Sequence, residues 1–275
     1  MNEHLPNISN FTFRGNALSP YLNVYPNSSY AGAPLGRFLA KAKHLKTANF
    51  SYLFLQENGI ADLVANLSST RLTNLDLNYN NAGDQGILAL ANVLPETQLV
   101  SLNVNNCESS DLPIPAFVQA CFATHRLINI AYGASYTSDA SAEELSKLLL
   151  KPNLKSLAVY SYLYTDVAIM FYASRLPLAK NLTEFGIEYF SMTNSSTIYA
   201  LSDGLAETPN EKLTIQGYSS DPTIPGLGYF FYKLKDMPTS QLQIGGSVCV
   251  DETNAEAFSE YFPQSKVQRL FMFFC

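Results

Sequence analysis

Residues 72–107 read LTNLDLNYNNAGDQGILALANVLPETQLVSLNVNNC. Leu72, Leu75 and Leu77 stand ahead of Asn80, and 27 residues later Leu99, Leu102 and Val104 stand the same way ahead of Cys107. Apolar residues at +0, +3 and +5, with polar residues between +3 and +5 and after, describe a short strand that buries one face and then turns. A fixed period of this kind marks units that stack on one another. Working outward, frames begin at Leu127, Leu154, Leu182, Asn210, Thr239 and Val267 on one side, and at Leu45 and Ser19 on the other. Start-to-start spacings run 26, 27, 27, 28, 27, 28, 28, 29 and 28. Register held over that many units predicts about ten repeats.

The remainder of each unit predicts a helix. Gly86, Leu90 and Leu94 lie at +14, +18 and +22, and the same columns read Gly59, Leu63, Leu67 and Ser141, Leu145, Leu149. A small residue followed by apolar residues four apart is the inner stripe of a helix packed closely at its start. The firmest helices are expected at Gly36–His44, Gly59–Leu67, Gly86–Leu94, Ala116–Thr124, Ala142–Leu150 and Asp166–Leu176. Three less regular ones are expected at Ser195–Glu207, Gly226–Lys235 and Asn254–Phe262. Pro95, Pro177 and Pro263 come where proline would stop the next turn.

The pattern L-x-x-L-x-L-x-x-N/C, with units near 28 and a full helix, resembles the ribonuclease-inhibitor type of leucine-rich repeat. The resemblance runs from about residue 19 to the end. It is strongest in the Leu45, Leu72 and Leu99 units and degenerate after Leu127, where +8 carries Ser135, Tyr162, Phe190 and Tyr218. It implies an α/β fold, a curved horseshoe solenoid with a parallel sheet on the concave face and helices on the convex face. One domain spanning 1–275 follows, with residues 1–18 as an N-terminal cap in which Phe11 and Phe13 alternate as in a strand.

Composition narrows the partners. The chain has 275 residues, 47% of them apolar, and a formal net charge of −6. Nucleic acid and anionic membrane both call for a basic surface, so neither is expected. No apolar run reaches the roughly 20 residues that span a bilayer. The opening MNEHLPNISN has no charged-then-apolar leader, which predicts a cytoplasmic protein, one exported into a host cell without a cleavable signal, or one whose leader has been removed. The four cysteines fall at turn or inward columns, and each is expected to act as a small apolar side chain. The final strand, 270–275, ends at +8 without a helix or cap. That leaves open a longer natural protein, a cap built from this strand, or self-association through it.

Alternation along each strand sends +2, +4 and +6 to the face opposite the core. On the N-terminal part this face carries Asn49, Asn74, Asp76, Asn78, Asn103 and Asn105, rimmed at +7 by Tyr52 and Tyr79. On the C-terminal part small residues are flanked by Tyr160, Glu184, Glu188 and Tyr189. Asparagine both donates and accepts, and tyrosine adds a rigid apolar area with a polar tip, a combination suited to reading another protein.

The chemistry of an enzyme is harder to find. His4, His44 and His125 are the only histidines and are scattered, and no phosphate loop or paired-cysteine spacing is present. Cys249-Val250-Asp251 resembles the C-x-D motif of bacterial ubiquitin ligases that carry leucine-rich repeats, but here it falls inside a repeat. The expected function is therefore non-catalytic recognition of a protein partner, with no cofactor and no metal. Among users of such repeats, the abundance of Asn and of Lys over Arg resembles effectors of intracellular bacteria. The alternative that the resemblance implies is a protein that activates or regulates a small GTPase.

Overall fold

The computed structural model describes residues 8–14, 28–135, 137–218 and 223–273. These fall into two compact units, Met1–Ser135 and Tyr136–Cys275, each taken by itself below. Both are built from one α/β device, a short strand followed by a helix, repeated. The Ser19 frame lies outside the described residues.

The first unit contains β1 (Asn10–Thr12), α1 (Gly32–Lys41), β2 (Thr47–Asn49), α2 (Glu57–Val64), β3 (Asn74–Asp76), α3 (Gly83–Val93), β4 (Ser101–Val104), α4 (Ile114–Ala123) and β5 (Asn129–Gly133). All neighbouring strands are parallel and pair in chain order, with Ala48 beside Leu75, Leu75 beside Leu102 and Leu102 beside Ile130. Phe11 stands beside Ala48, so β1 holds the place next to β2 that the Ser19 frame was expected to fill. The cap residue Phe11 packs on Phe38 and Phe50.

The second unit contains α5 (Asp139–Ser146), β6 (Ser156–Tyr160), α6 (Asp166–Arg175), β7 (Glu184–Phe190), α7 (Ser195–Ala206), β8 (Lys212–Gly217), α8 (Leu227–Lys233), β9 (Gln241–Gly245), α9 (Ala255–Tyr261) and β10 (Arg269–Phe273). Here Leu157, Phe185, Leu213, Leu242 and Leu270 form one rung after another, again parallel. The core of both units is the predicted +3 and +5 columns with the inner helix stripe. Leu75, Leu77, Ile87, Leu90 and Leu94 are buried in one, and Leu157, Val159, Ile169, Tyr172 and Leu176 in the other. Burying a leucine side chain contributes about 2 kcal/mol, so these ladders dominate stability.

Several details depart from the sequence reading. α1, α2 and α3 start two to four residues before the expected glycines, because Gly36, Gly59 and Gly86 lie within the helices and not at their starts. A Cβ at Gly36 would come 2.9 Å from the Asp62 and Leu63 carbonyl oxygens, so this glycine marks close helix packing. Pro95, Pro177 and Pro263 do not end the helical path. Each sits in the first turn of a short 3-10 segment that continues it, where proline needs no N–H partner. Cys107 and Cys121 are buried thiols, as expected, whereas Cys249 is disulfide-bonded, which overturns the expectation for it.

Hydrogen bonds between consecutive repeats add a staple that the apolar pattern conceals. At +12, Asp84 accepts from the Ser110 N–H and Oγ, both at 2.7 Å. Asp139 does the same for Thr165, at 3.0 and 2.6 Å, and Asp166 for Thr193, at 3.0 and 2.8 Å. Burial pushes the Asp166 carboxyl up, but bonds donated by Thr197, Thr193 and Asn194 hold it below its ordinary value. At the far end of the helices, Thr70, Thr97 and Thr124 each donate Oγ1 to a carbonyl of the last turn, at 2.7, 2.8 and 2.8 Å.

Candidate recognition faces

The open sheet face of the first unit is where asparagine collects. Thr47, Asn74, Ser101 and Asn129 share one column, and Asn49, Asp76, Asn103 and Ala131 share the next. Asn74 is exposed, and Asn49, Asp76, Asn78, Asn103 and Asn105 are half-buried. The +4 side chains hold the turn that follows each strand. Asn49 Oδ1 accepts from the Ser51 N–H at 3.0 Å, Asp76 Oδ1 from the Asn78 N–H at 3.0 Å, and Asn103 Oδ1 from the Asn105 N–H at 3.0 Å. An acceptor that bonds the backbone two residues on is the Asx device, and it accounts for Asn or Asp in this column by itself.

Neighbouring side chains are tied across the rungs. Asn49 Nδ2 donates to Asp76 Oδ2 at 2.9 Å, and Arg14 Nε donates to Ser51 Oγ at 2.9 Å. Burial pushes the Asp76 carboxyl up, while the Asn78 N–H and the charge of Arg14 pull it back. One position further on, Tyr52 and Tyr79 stack with ring centroids 4.3 Å apart, and the Arg14 guanidinium lies 5.7 Å from the Tyr52 ring. Tyr52, Tyr79 and Asn106 have φ of 60°, 55° and 52°. This +7 column turns the chain out of the strand through the left-handed region, at about 1 kcal/mol for a side chain other than glycine. Beneath it Asn80, fully buried, donates to the Phe50 and Leu77 carbonyls at 3.0 and 2.7 Å and accepts from the Leu55 N–H at 3.0 Å.

In the second unit the same columns hold different chemistry. Ser156, Glu184, Lys212 and Gln241 share the +2 column, and Lys212 Nζ pairs with Glu184 Oε1 at 2.6 Å. Both partners are largely exposed, so the pair contributes less than about 1 kcal/mol. At +6 the rung runs Tyr160, Glu188, Gln216 and Gly245. Register slips between Glu188 and Phe190, so Tyr189 is the extra residue of a bulge, with φ of 60°. A bulge re-aims the side chain it carries.

The sequence reading placed Tyr160 among the displayed residues, but its ring is buried. It packs edge-on against Tyr162 and Tyr189, centroids 5.2 and 5.0 Å away. Tyr162 also meets Tyr189 at 5.1 Å and Tyr218 at 5.9 Å. The displayed aromatic surface is therefore Tyr162 and Tyr218, 46% and 40% exposed, next to Leu163 at 51%. None of these three was singled out from sequence. The signal was present, since tyrosine takes the +8 asparagine position in both the Leu154 and the Asn210 units. Burial pushes the Glu188 carboxyl up. Tyr189 is raised as well, by burial and then by Tyr162 and Glu188, and the Gln216 side chain hydrogen-bonds it in the opposite sense.

Neither comparison with known proteins, by family model or by curated sequence, finds a match. The geometry must carry the functional reading. Among the described residues no three His, Cys, Asp or Glu side chains are grouped to hold a metal ion, and no helix is long and apolar enough to cross a membrane.

Proposed function

We propose that this chain is a recognition module of the leucine-rich-repeat kind, non-catalytic, binding a protein partner on the open and concave face of its sheet. The observation that carries this reading is the register of the strands. It lines up the +2 and +4 side chains of successive repeats on one face while +3 and +5 stay buried, with the +6 side chains partly or fully covered beside them. Five strands in a unit, each with two such positions, offer about ten side chains before the residues that flank them are added, and a typical interface uses roughly 20–30 on each partner. Export into a host cell as an effector belongs to the same proposal.

Affinity capture from a cell lysate, with partners identified by mass spectrometry, tests the face directly. Asp76 is a poor target because it holds its own turn, so the variant is Asn74→Arg with Tyr79→Ala, both on exposed side chains. The double variant is expected to lose capture with an unchanged far-ultraviolet circular dichroism spectrum, and Gln119→Arg on α4 to retain it. Capture lost only in the helix variant would refute the choice of face. Acceleration of GTP hydrolysis by a small GTPase would replace a plain binder with a regulator of that enzyme.

A further inference from the structure

Glu188 is the one acid on the open face of the second unit that has nothing to pair with. Among the described residues it makes no hydrogen bond and no ion pair, and it is half-buried between Tyr160 and Gln216 on the neighbouring strands. The +6, +7 and +8 columns from the Leu154 to the Thr239 frame contain no lysine or arginine. The other acid on this face, Glu184, is already held by Lys212. Removing a carboxylate even partly from water without a compensating donor costs free energy, and a carboxylate only accepts. The chemistry that would offset the cost is a cation that donates.

The surroundings narrow which cation. Tyr162 packs perpendicular to Tyr218, at 89°, and near-perpendicular to Tyr160, at 73°. An edge-to-face pair covers one face of one ring only, and Tyr162 and Tyr218 keep part of their surface exposed. The negative face of an aromatic ring attracts a cation, most strongly one that is weakly hydrated and planar. A guanidinium can lie on a tyrosine ring and turn two N–H groups toward a carboxylate, whereas an ammonium keeps its water more tightly. The first unit contains the ring half of this pairing within the chain itself, where Arg14 lies over Tyr52 while its Nε donates to the Ser51 hydroxyl.

We infer that Glu188, beside Tyr160 in its rung and next to the ring cluster of Tyr162, Tyr189 and Tyr218, receives an arginine side chain of the protein partner. This inference rests on the reading of the open face as a protein-binding surface. The test uses the full chain, carbon-13 labelled at tyrosine, titrated with an acetylated Gly-Arg-Gly amide and followed by NMR. A citrulline peptide is the neutral isostere, and a lysine peptide the ammonium control. The arginine peptide is expected to shift the Tyr162, Tyr189 and Tyr218 resonances saturably. Citrulline should bind at least tenfold more weakly, and lysine between the two. Glu188→Gln should weaken arginine binding at least tenfold, and Tyr162→Ala severalfold, with the remaining spectrum unchanged. Equal shifts from citrulline, undiminished binding by Glu188→Gln, or no saturable shift from arginine would each overturn the inference. Capture of a partner through the open face alongside such a failure would leave the broader reading standing. Loss of capture specificity for that face would remove the broader reading instead.

Discussion

The two units use the same coil to opposite ends. In the first, the +4 groups of the open face are spent on the protein itself: Asn49, Asp76 and Asn103 hold turns and Arg14 stands near Asp76, while at +6 the uncharged Asn78 Oδ1 and Asn105 Oδ1 are buried without a partner among the described residues. In the second, the +8 asparagine gives way to Tyr162 and Tyr218, Tyr189 bulges from β7, and Glu188 has no donor. Polar density alone is therefore a poor guide to a binding surface. A group that is already bonded gains little from a partner, and a desolvated group that lacks a donor gains much.

The largest expected effect separates the two +8 columns. Asn80→Ala would leave the Leu55 N–H and the Phe50 and Leu77 carbonyls without a buried partner. A loss of about 3 kcal/mol is expected, read as a lower midpoint in urea unfolding. Tyr162→Ala at the matching position of the second unit should cost less, about 1–2 kcal/mol, since the half-exposed ring gives up edge contacts but bonds nothing beneath it. Similar losses at both positions would erase the distinction between a structural and a displayed +8 residue.

Much of the architecture was legible because strand alternation and helix periodicity are properties of apolar side chains alone. Leu75, Leu102, Leu157 and Leu213 stand in the inward columns where their spacing put them. The parts that escaped depend on backbone direction, which spacing does not encode. Whether Asn103 faces a partner or its own Asn105 N–H is decided by the turn after the strand. Tyr160 is covered because Tyr162 and the bulged Tyr189 lean over it, and a bulge leaves no mark in a 28-residue period. The Ser19 frame shows the converse hazard. Leu22 and Val24 lie outside the described residues, and the rung beside β2 is taken by Phe11 of β1, from the segment read as a cap.

A smaller effect sharpens the contrast through pH. Burial raises the Glu188 carboxyl, so the native state holds that proton more tightly than the unfolded chain does. Below the ordinary carboxylate range both states are protonated and the residue is neutral. As pH rises through the ordinary value and then the raised one, the native state must bear a half-buried charge and stability is lost. Glu188→Gln removes that loss. Its melting temperature should exceed the wild type's by a few degrees at about pH 7 and match it at about pH 3. A gain of the same size at both pH values would mean that the charge is not responsible. A lower melting temperature at neutral pH would mean that Glu188 has a stabilising partner.

The smallest effect comes from the acid that does have donors. Asp76→Asn keeps an oxygen for the Asn78 N–H, as Asn103 already does for Asn105, and gives up the acceptor of Asn49 Nδ2 and the attraction of Arg14. It also removes a carboxylate that burial raises, and the two changes oppose one another. A net change within about 1 kcal/mol is expected at neutral pH. Asp76→Ala should cost more than Asp76→Asn, because the turn then loses its acceptor. If the two variants unfolded at the same denaturant concentration, the Asx bond would contribute nothing. The +4 column of the first unit would then be free for a partner after all, as the second unit's Glu188 is.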